Sequence, residues 1–314
     1  MRKDSRIYVA GSDTLVGRAI CGQLTVSGYS TIAEDRDGVQ DPADSSLTER
    51  FFSEFRPEFV FMAAGESGGI RANQRYPADL MIDNLRVITS VLAAAHRFGV
   101  KRLVYLASSC CYPRECTQPM AVDSLMSGPL EPTNQAYASA KLAGIALCLA
   151  YRHQYGAQFA TAIPANPFGP GDDFDADNSH VVSALILKMH EARVHGAQSV
   201  TVWGTGSPER EFIYVDDLAD ACLFLMNHYD EATPINIGVP SFRASIKELA
   251  EMIREAVGYK GSIDFDSNHP DGMPRKILDS EPLRRLGWSA KTSFPAALRA
   301  TYEHFLRSEQ VNHA

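Results

Sequence analysis

Short apolar runs recur along this chain, and segments of helical pattern separate them. Arg6 to Gly11, Ser30 to Ala33, Phe59 to Ala64, Lys101 to Ala107 and Phe159 to Ile163 read as strands. Leu15 to Leu24, Pro77 to Phe98 and Ala136 to Tyr151 read as the helices between them. Strands that alternate with helices at this spacing predict an α/β fold built on a parallel, doubly wound sheet. Such sheets bind ligands at the carboxyl ends of their strands, so the residues just after each run are the first place to look for a site.

After the first strand the loop reads Gly11-Ser12-Asp13-Thr14-Leu15-Val16-Gly17. A glycine-rich turn that opens a helix offers backbone amides to a pyrophosphate. A plain β-α turn accounts for the same residues, and a middle glycine is replaced by Thr14. Acids follow the second strand, Glu34, Asp35 and Asp37, with Arg36 among them. An acid there accepts from the adenosine ribose 2′-hydroxyl and repels a 2′-phosphate, although a solvated loop reads the same way.

After the fourth strand stands Ser108-Ser109-Cys110-Cys111, and Tyr137 and Lys141 follow about 30 residues on. A step of four is one helical turn, so both side chains leave one face. An ammonium beside a phenol favours the phenolate, which predicts a Tyr137 pKa lowered toward neutrality. Such a phenol exchanges a proton with a carbonyl oxygen. A bare Tyr-x-x-x-Lys is common by chance. Its place after a serine-ended strand, behind a dinucleotide-type opening, is what singles it out.

Beyond Gly169 the pattern is less regular. His180 to Arg193, Ile246 to Val257 and Phe294 to Arg307 read as helices, and Ser199 to Trp203 and Gly261 to Phe265 as strands. These pieces predict a smaller lobe over the carboxyl edge of the sheet, with a ligand between the lobes. The expected division is 1–170 for the dinucleotide-binding domain and 171–314 mostly for the second lobe, part of 205–240 returning to the first.

Lys plus Arg number 30 and Asp plus Glu 38, a net charge of −8, which argues against non-specific binding to nucleic acid. No apolar run reaches the roughly 18 residues of a membrane span. The basic start runs directly into a strand, so no export signal, a cytoplasmic location and free thiols are expected. The six cysteines show no zinc-ligand pairing, and no metal is expected.

With these motifs in view, the chain resembles the GDP-L-fucose synthases, extended short-chain dehydrogenases that epimerise and reduce GDP-4-keto-6-deoxymannose. The likeness runs from about Ile7 to Phe305. It is carried by Ser108-Ser109-Cys110, Pro129 to Asn134, Tyr137 with Lys141, Asn178-Ser179-His180-Val181, Trp203-Gly204, Arg210-Glu211-Phe212, Pro270-Asp271-Gly272 and Pro274-Arg275-Lys276. It implies a Rossmann-type sheet with a smaller α/β substrate-binding lobe, and a homodimer. It implies that Ser108 binds the C4 oxygen, Tyr137 protonates it, and Lys141 holds the nicotinamide ribose. Cys110 and His180 become the acid/base pair at C3 and C5. Asn166, Lys188, Trp203, Arg210, Asp271 and Lys276 would hold the GDP-sugar. Gly11 to Gly17, Glu34, Asp35, Arg36, Ala63, Ala64, Ala107, Lys141, Pro164, Asn166, Pro167 and His180 would line the cofactor.

The chemistry suits those roles. A 4-keto group acidifies the protons at C3 and C5, and inversion needs two groups that titrate near neutrality, a thiol and an imidazole. Ser108 and Tyr137 would stabilise the enolate oxygen, and Lys188 and Arg210 the diphosphate. Read without the resemblance, Cys110 is equally a small buried filler, His180 a surface group and Trp203 a core residue. NADPH is implied by the resemblance, whereas Asp13 and Glu34/Asp35, standing where that family carries basic residues, favour NADH. Two other readings stay open: a single-function C4 reductase or epimerase on a related GDP-hexose or heptose, and a non-catalytic sensor of nucleotides.

Overall fold

The computed structural model describes residues 1–35, 41–175, 179–269 and 271–312. The first half runs β1 (Arg6–Ala10), α1 (Leu15–Val26), β2 (Thr31–Ala33), α2 (Ser45–Phe55), β3 (Phe59–Met62), α3 (Ile70–Arg75), α4 (Pro77–Arg97), β4 (Arg102–Leu106), α5 (Gln135–Tyr155) and β5 (Phe159–Pro164). It continues with β6 (Asn166–Phe168), α6 (Val181–Val194), β7 (Ser199–Trp203), β8 (Glu209–Tyr214), α7 (Val215–His228), β9 (Ile235–Ile237) and β10 (Arg243–Ser245). The last elements are α8 (Ile246–Val257), β11 (Ser262–Asp266), β12 (Arg275–Lys276), α9 (Glu281–Arg285) and α10 (Phe294–Asn312).

Six strands form one parallel sheet in the order β2-β1-β3-β4-β5-β9. Helices cover both faces, which explains the unbroken apolar runs. Ile7 to Ala10, Leu103 to Leu106 and all of β5 are buried. Burying a side chain such as Ile7 or Val104 contributes about 1.5–3 kcal/mol. The chain winds outward from β1 in both directions, so the crevice beyond the ends of β1 and β3 is the topological switch point.

Local signals set where the helices begin and end. Thr14 caps α1 and accepts from the Gly17 amide, and Asp44 caps α2 through the Ser46 and Leu47 amides. Gly156, at φ 68°, closes α5 in the left-handed region.

The later elements build the smaller sheets. β8 pairs with β10, β12 and β6, and β7 pairs with β11. Phe168, Phe212, Phe242 and Phe294 pack between them, with Phe242 and Phe294 stacked at 4.5 Å. A buried polar network then ties the tail of β12 to the loop after β4. Tyr112 donates to the Asn236 Oδ1 at 2.6 Å. The Asn236 amide donates to the Met120 and Asp279 carbonyls. Among the described residues no helix is long and apolar enough to cross a membrane.

Candidate active site

The phosphate loop is shaped by what its glycines lack. A Cβ on Gly11, at φ 80°, would lie 2.4 Å from the Ala64 Cα, and one on Gly17 would lie 1.8 Å from the Gly11 oxygen. Those two glycines let the backbone pass at contact distance. Thr14 has φ −76°, a conformation open to any residue. Its hydroxyl donates to the Gly11 carbonyl at 2.7 Å and accepts from the Gly17 amide at 3.0 Å. The missing middle glycine is therefore replaced by a cap. Leu15 and Val16 begin α1, half-buried, and Asp13 is exposed at the bend.

Asp35 roots this loop. Its carboxylate accepts from the Tyr8 hydroxyl at 2.7 Å, the Gly11 amide at 2.7 Å and the Ser12 amide at 2.9 Å. Burial holds its pKa above the ordinary carboxyl value, and the three donors oppose that shift. Glu34 is half-buried beside it. Arg36, Asp37, Asn178 and Pro270 lie outside the described residues. Ala63 and Ala64 follow β3, Ala107 follows β4, and Pro164 ends β5. Asn166 and Pro167 open β6, where the Asn166 amide donates to the Glu211 carbonyl at 2.7 Å.

Ser108 caps a single helical turn, Ser109–Cys111, its Oγ accepting from the Cys110 amide at 3.2 Å. Tyr137 and Lys141 stand one turn apart on α5, with the ammonium 5.9 Å from the Tyr137 ring centre. Lys141 is buried and donates to the Ala64 carbonyl at 3.4 Å. Burial lowers its pKa to about 8. The expected acidification of Tyr137 is not what the structure holds. Burial pushes the phenol up, and the nearby Cys110 sulfur adds to that, while a hydrogen bond with Ser108 opposes them. The Lys141 ammonium, 5.9 Å from the ring centre, does not offset that burial.

The two neighbouring cysteines differ sharply. Cys111 is buried, and desolvation pushes its thiol up to about 12. Cys110 is partly exposed, and its sulfur receives the Lys276 ammonium at 3.2 Å and the Asn134 amide at 3.2 Å. Desolvation pushes this thiol up too, but Lys276, Ser108 and Arg210 outweigh it, and the pKa falls below the ordinary value. His180 precedes α6 without capping it and is exposed. The surrounding protein atoms and the Lys276 charge hold its pKa below the usual imidazole value. Lys276 thus acts on both members of the expected acid/base pair.

The remaining expected substrate ligands are arranged around this centre. On β8, Arg210 donates to the Glu209 and Asp271 carbonyls. Asp271 accepts from the Thr205 amide at 2.7 Å and its hydroxyl at 2.8 Å, so its carboxylate orders that turn. Trp203 is 45% exposed, stacked on His269 at 4.1 Å with the Arg71 guanidinium 5.0 Å from its ring. Lys188 is exposed and donates to the Thr201 carbonyl at 2.8 Å, away from the catalytic cluster in its bonding.

Sequence reasoning gave Asn134 no role. Its Oδ1 is buried without a hydrogen-bond partner while its amide reaches Cys110. Asn134 occupies the N-cap position of α5 and makes no cap bond. An Asn three residues before Tyr137 that leaves its own helix uncapped is the signal that marks it.

The family model described as NAD dependent epimerase/dehydratase matches residues 7–238. GDP-L-fucose synthase 1 of Arabidopsis thaliana is 45% identical over 306 residues, 98% of this chain and 94% of that protein. The chain belongs to the NAD dependent epimerase/dehydratase family, in its GDP-L-fucose synthase branch. Among solved structures, a GDP-6-OMe-4-keto-L-xylo-heptose reductase from C. jejuni superimposes with a TM-score of 0.92 at 30% identity, covering 98% of this chain and 99% of that one. A GDP-L-fucose synthetase from Naegleria fowleri bound to NADP gives 0.88 at 27% identity, covering 99% and 96%.

For a member of the GDP-L-fucose synthase branch, the cradle left by Gly11 and Gly17 fits a dinucleotide pyrophosphate at the head of α1. Among the described residues no group of three or more His, Cys, Asp and Glu side chains could hold a metal ion.

Proposed function

We propose that this enzyme inverts C3 and C5 and reduces C4 of a GDP-4-keto-6-deoxy sugar. The observation that carries the reading is the Cys110 sulfur itself, reached by the Lys276 ammonium and the Asn134 amide at 3.2 Å each, with Ser108 capping the same turn and His180 within reach of the same Lys276 charge. Cys110 would take the proton next to the ketone, and its electron pair would move onto the C4 oxygen. Ser108 and Tyr137 would hold that oxyanion, and His180 would return a proton on the opposite face. A bound nicotinamide dinucleotide supplies the hydride for C4. Tyr137, kept protonated by burial, then gives its proton to the C4 oxygen, and Lys141 holds the ribose. Arg210 and Lys188 would face the diphosphate, with Asn166, Trp203 and Asp271 shaping the pocket.

The second reading is a C4 reductase alone on a related GDP-hexose or heptose, and it is favoured by the likeness to the heptose reductase. Retention of both Cys110 and His180 supports the dual activity. Incubation with GDP-4-keto-6-deoxymannose in D2O tests both, with NMR of the product. Deuterium at C3 and C5 together with oxidised cofactor supports the dual reading. Oxidation without label leaves the reductase.

NADH is the cofactor we favour. The exposed Asp13 and the Asp35 carboxylate at the loop would oppose a 2′-phosphate. A cytoplasmic homodimer is also proposed, its interface formed by α4 and α5. Met81 and Ile82 on the first and Leu149 and Tyr155 on the second are large, apolar and exposed. The division into a cofactor domain, 1–170, and a GDP-sugar lobe, mostly 171–314, completes the reading. Part of 205–240 returns to the first.

A further inference from the structure

Lys276 comes from a strand of two residues, yet its place is fixed from several sides. It pairs with Arg210 on β8. The next residue, Ile277, donates its amide to the Gln118 Oε1 at 3.1 Å and accepts from the Met120 amide at 2.8 Å. The Leu278 amide donates to the buried Glu211 carboxylate at 2.7 Å. Gln118 and Met120 lie in the loop that follows Cys110, so the strand carrying the ammonium and the loop after the thiol are bound to each other.

The side chain ends 3.2 Å from the Cys110 sulfur, and the Asn134 amide reaches the same sulfur at 3.2 Å. Two donors on one sulfur suit a thiolate, which accepts strongly, better than a thiol, which accepts weakly. We infer that Lys276 is a positioning residue for proton abstraction, holding Cys110 as a thiolate together with Asn134. The inference rests on the epimerase reading above and changes what Lys276 does there: it prepares the base, where the resemblance implied a ligand of the GDP-sugar.

The groups facing Cys110 are Lys276 from β12, Arg210 from β8, Asn134 and Tyr137 from the start of α5, and Ser108 and Cys111 from its own turn. Asp271 and Glu131 act on Arg210 and temper its charge. In the step itself the thiolate gains the proton from carbon and becomes a thiol, and the carbon's electron pair passes to the C4 oxygen. A proton leaves His180 for the opposite face of the same carbon. The Lys276 charge also disfavours the imidazolium, so a proton held there is released readily. Exchange with water restores both groups.

The test uses the full-length protein and no sugar. Alkylation of Cys110 by iodoacetamide is followed against pH by mass spectrometry of its peptide, because the rate tracks the thiolate fraction. In Lys276→Met the midpoint is expected to rise by about one unit or more, with alkylation at neutral pH slowed about tenfold. Lys276→Arg keeps the midpoint within about half a unit of the parent, and Asn134→Ala raises it by less than the methionine variant does. A midpoint in Lys276→Met within about half a unit of the parent overturns the proposal, with or without weaker GDP binding. Should the methionine variant fail to fold, an unmoved midpoint in Asn134→Ala overturns it. Failure to turn over the GDP-keto-sugar would count against the functional reading and leave the thiol measurement unaffected.

Discussion

The Tyr8 hydroxyl lies 2.7 Å from the Asp35 carboxylate, and both side chains are buried. A tyrosine in the middle of β1 thereby props the acid at the end of β2 against the Gly11 and Ser12 amides. In the NADH reading proposed above, that carboxylate would oppose a 2′-phosphate. Asp35→Asn should keep the shape and remove the charge. We expect the ratio of kcat/KM for NADPH over NADH to rise by about tenfold, the loss of about 1.4 kcal/mol of repulsion. Steady-state kinetics with both cofactors check this, and an unchanged ratio would refute Asp35 as the discriminator.

Lys141 carries a cost in the cofactor-free protein. Its pKa is about 8 in the fold against an ordinary 10.5. Between those values the unfolded chain binds the extra proton, so stability rises with pH across that window. Below it the buried ammonium costs up to about 3 kcal/mol. Lys141→Met should therefore raise the melting temperature at pH 7 and remove C4 reduction. Calorimetry at pH 7 and pH 10 would show the gain shrinking at the higher value. A melting temperature lowered at pH 7 would sink the argument.

Gly17→Ala places a methyl 1.8 Å from the Gly11 oxygen. The loop must shift, at a cost of about 1–3 kcal/mol. Dinucleotide affinity, read by fluorescence titration, should fall about tenfold or more. Gly22→Ala on the same helix, whose Cβ meets nothing within 4 Å, should leave affinity unchanged.

Tyr112→Phe leaves the Asn236 oxygen without its 2.6 Å donor. Removing one partner of a buried pair costs about 1–3 kcal/mol. Denaturant unfolding should show that loss. Solvent deuterium incorporation at C3 should also slow, because the same asparagine holds Met120, in the loop after Cys110, and Asp279, three residues after Lys276.

Much of this architecture was readable from the residues. The apolar runs marked β1, β3, β4 and β5, because strands buried on both faces carry no alternation that could mislead. The Ala- and Leu-rich stretch marked α5, and the one-turn spacing put Tyr137 and Lys141 together. Helix α2 went unread, although Asp44 and the spacing of Thr48, Phe51 and Phe52 announce it. Other features are set by tertiary contacts. Tyr137 was expected to be acidic because Lys141 is near in sequence, but burial acts on both and decides the outcome. Nor can spacing reveal that Lys276 meets Cys110 across 166 residues. Asn134 stood in a recognised stretch, yet its purpose shows only once its idle cap position and its sulfur partner are seen together.

The three residues of β9 close the parallel sheet beside β5, after the chain has already left to build the smaller sheets. The central one, Asn236, is the post to which both the 120 and the 279 segments are moored. Severing the chain after residue 170 would deprive the first fragment of its outermost strand and the second of the surface it grips. Neither fragment should stand alone, and heating the intact protein should melt both regions in one cooperative step.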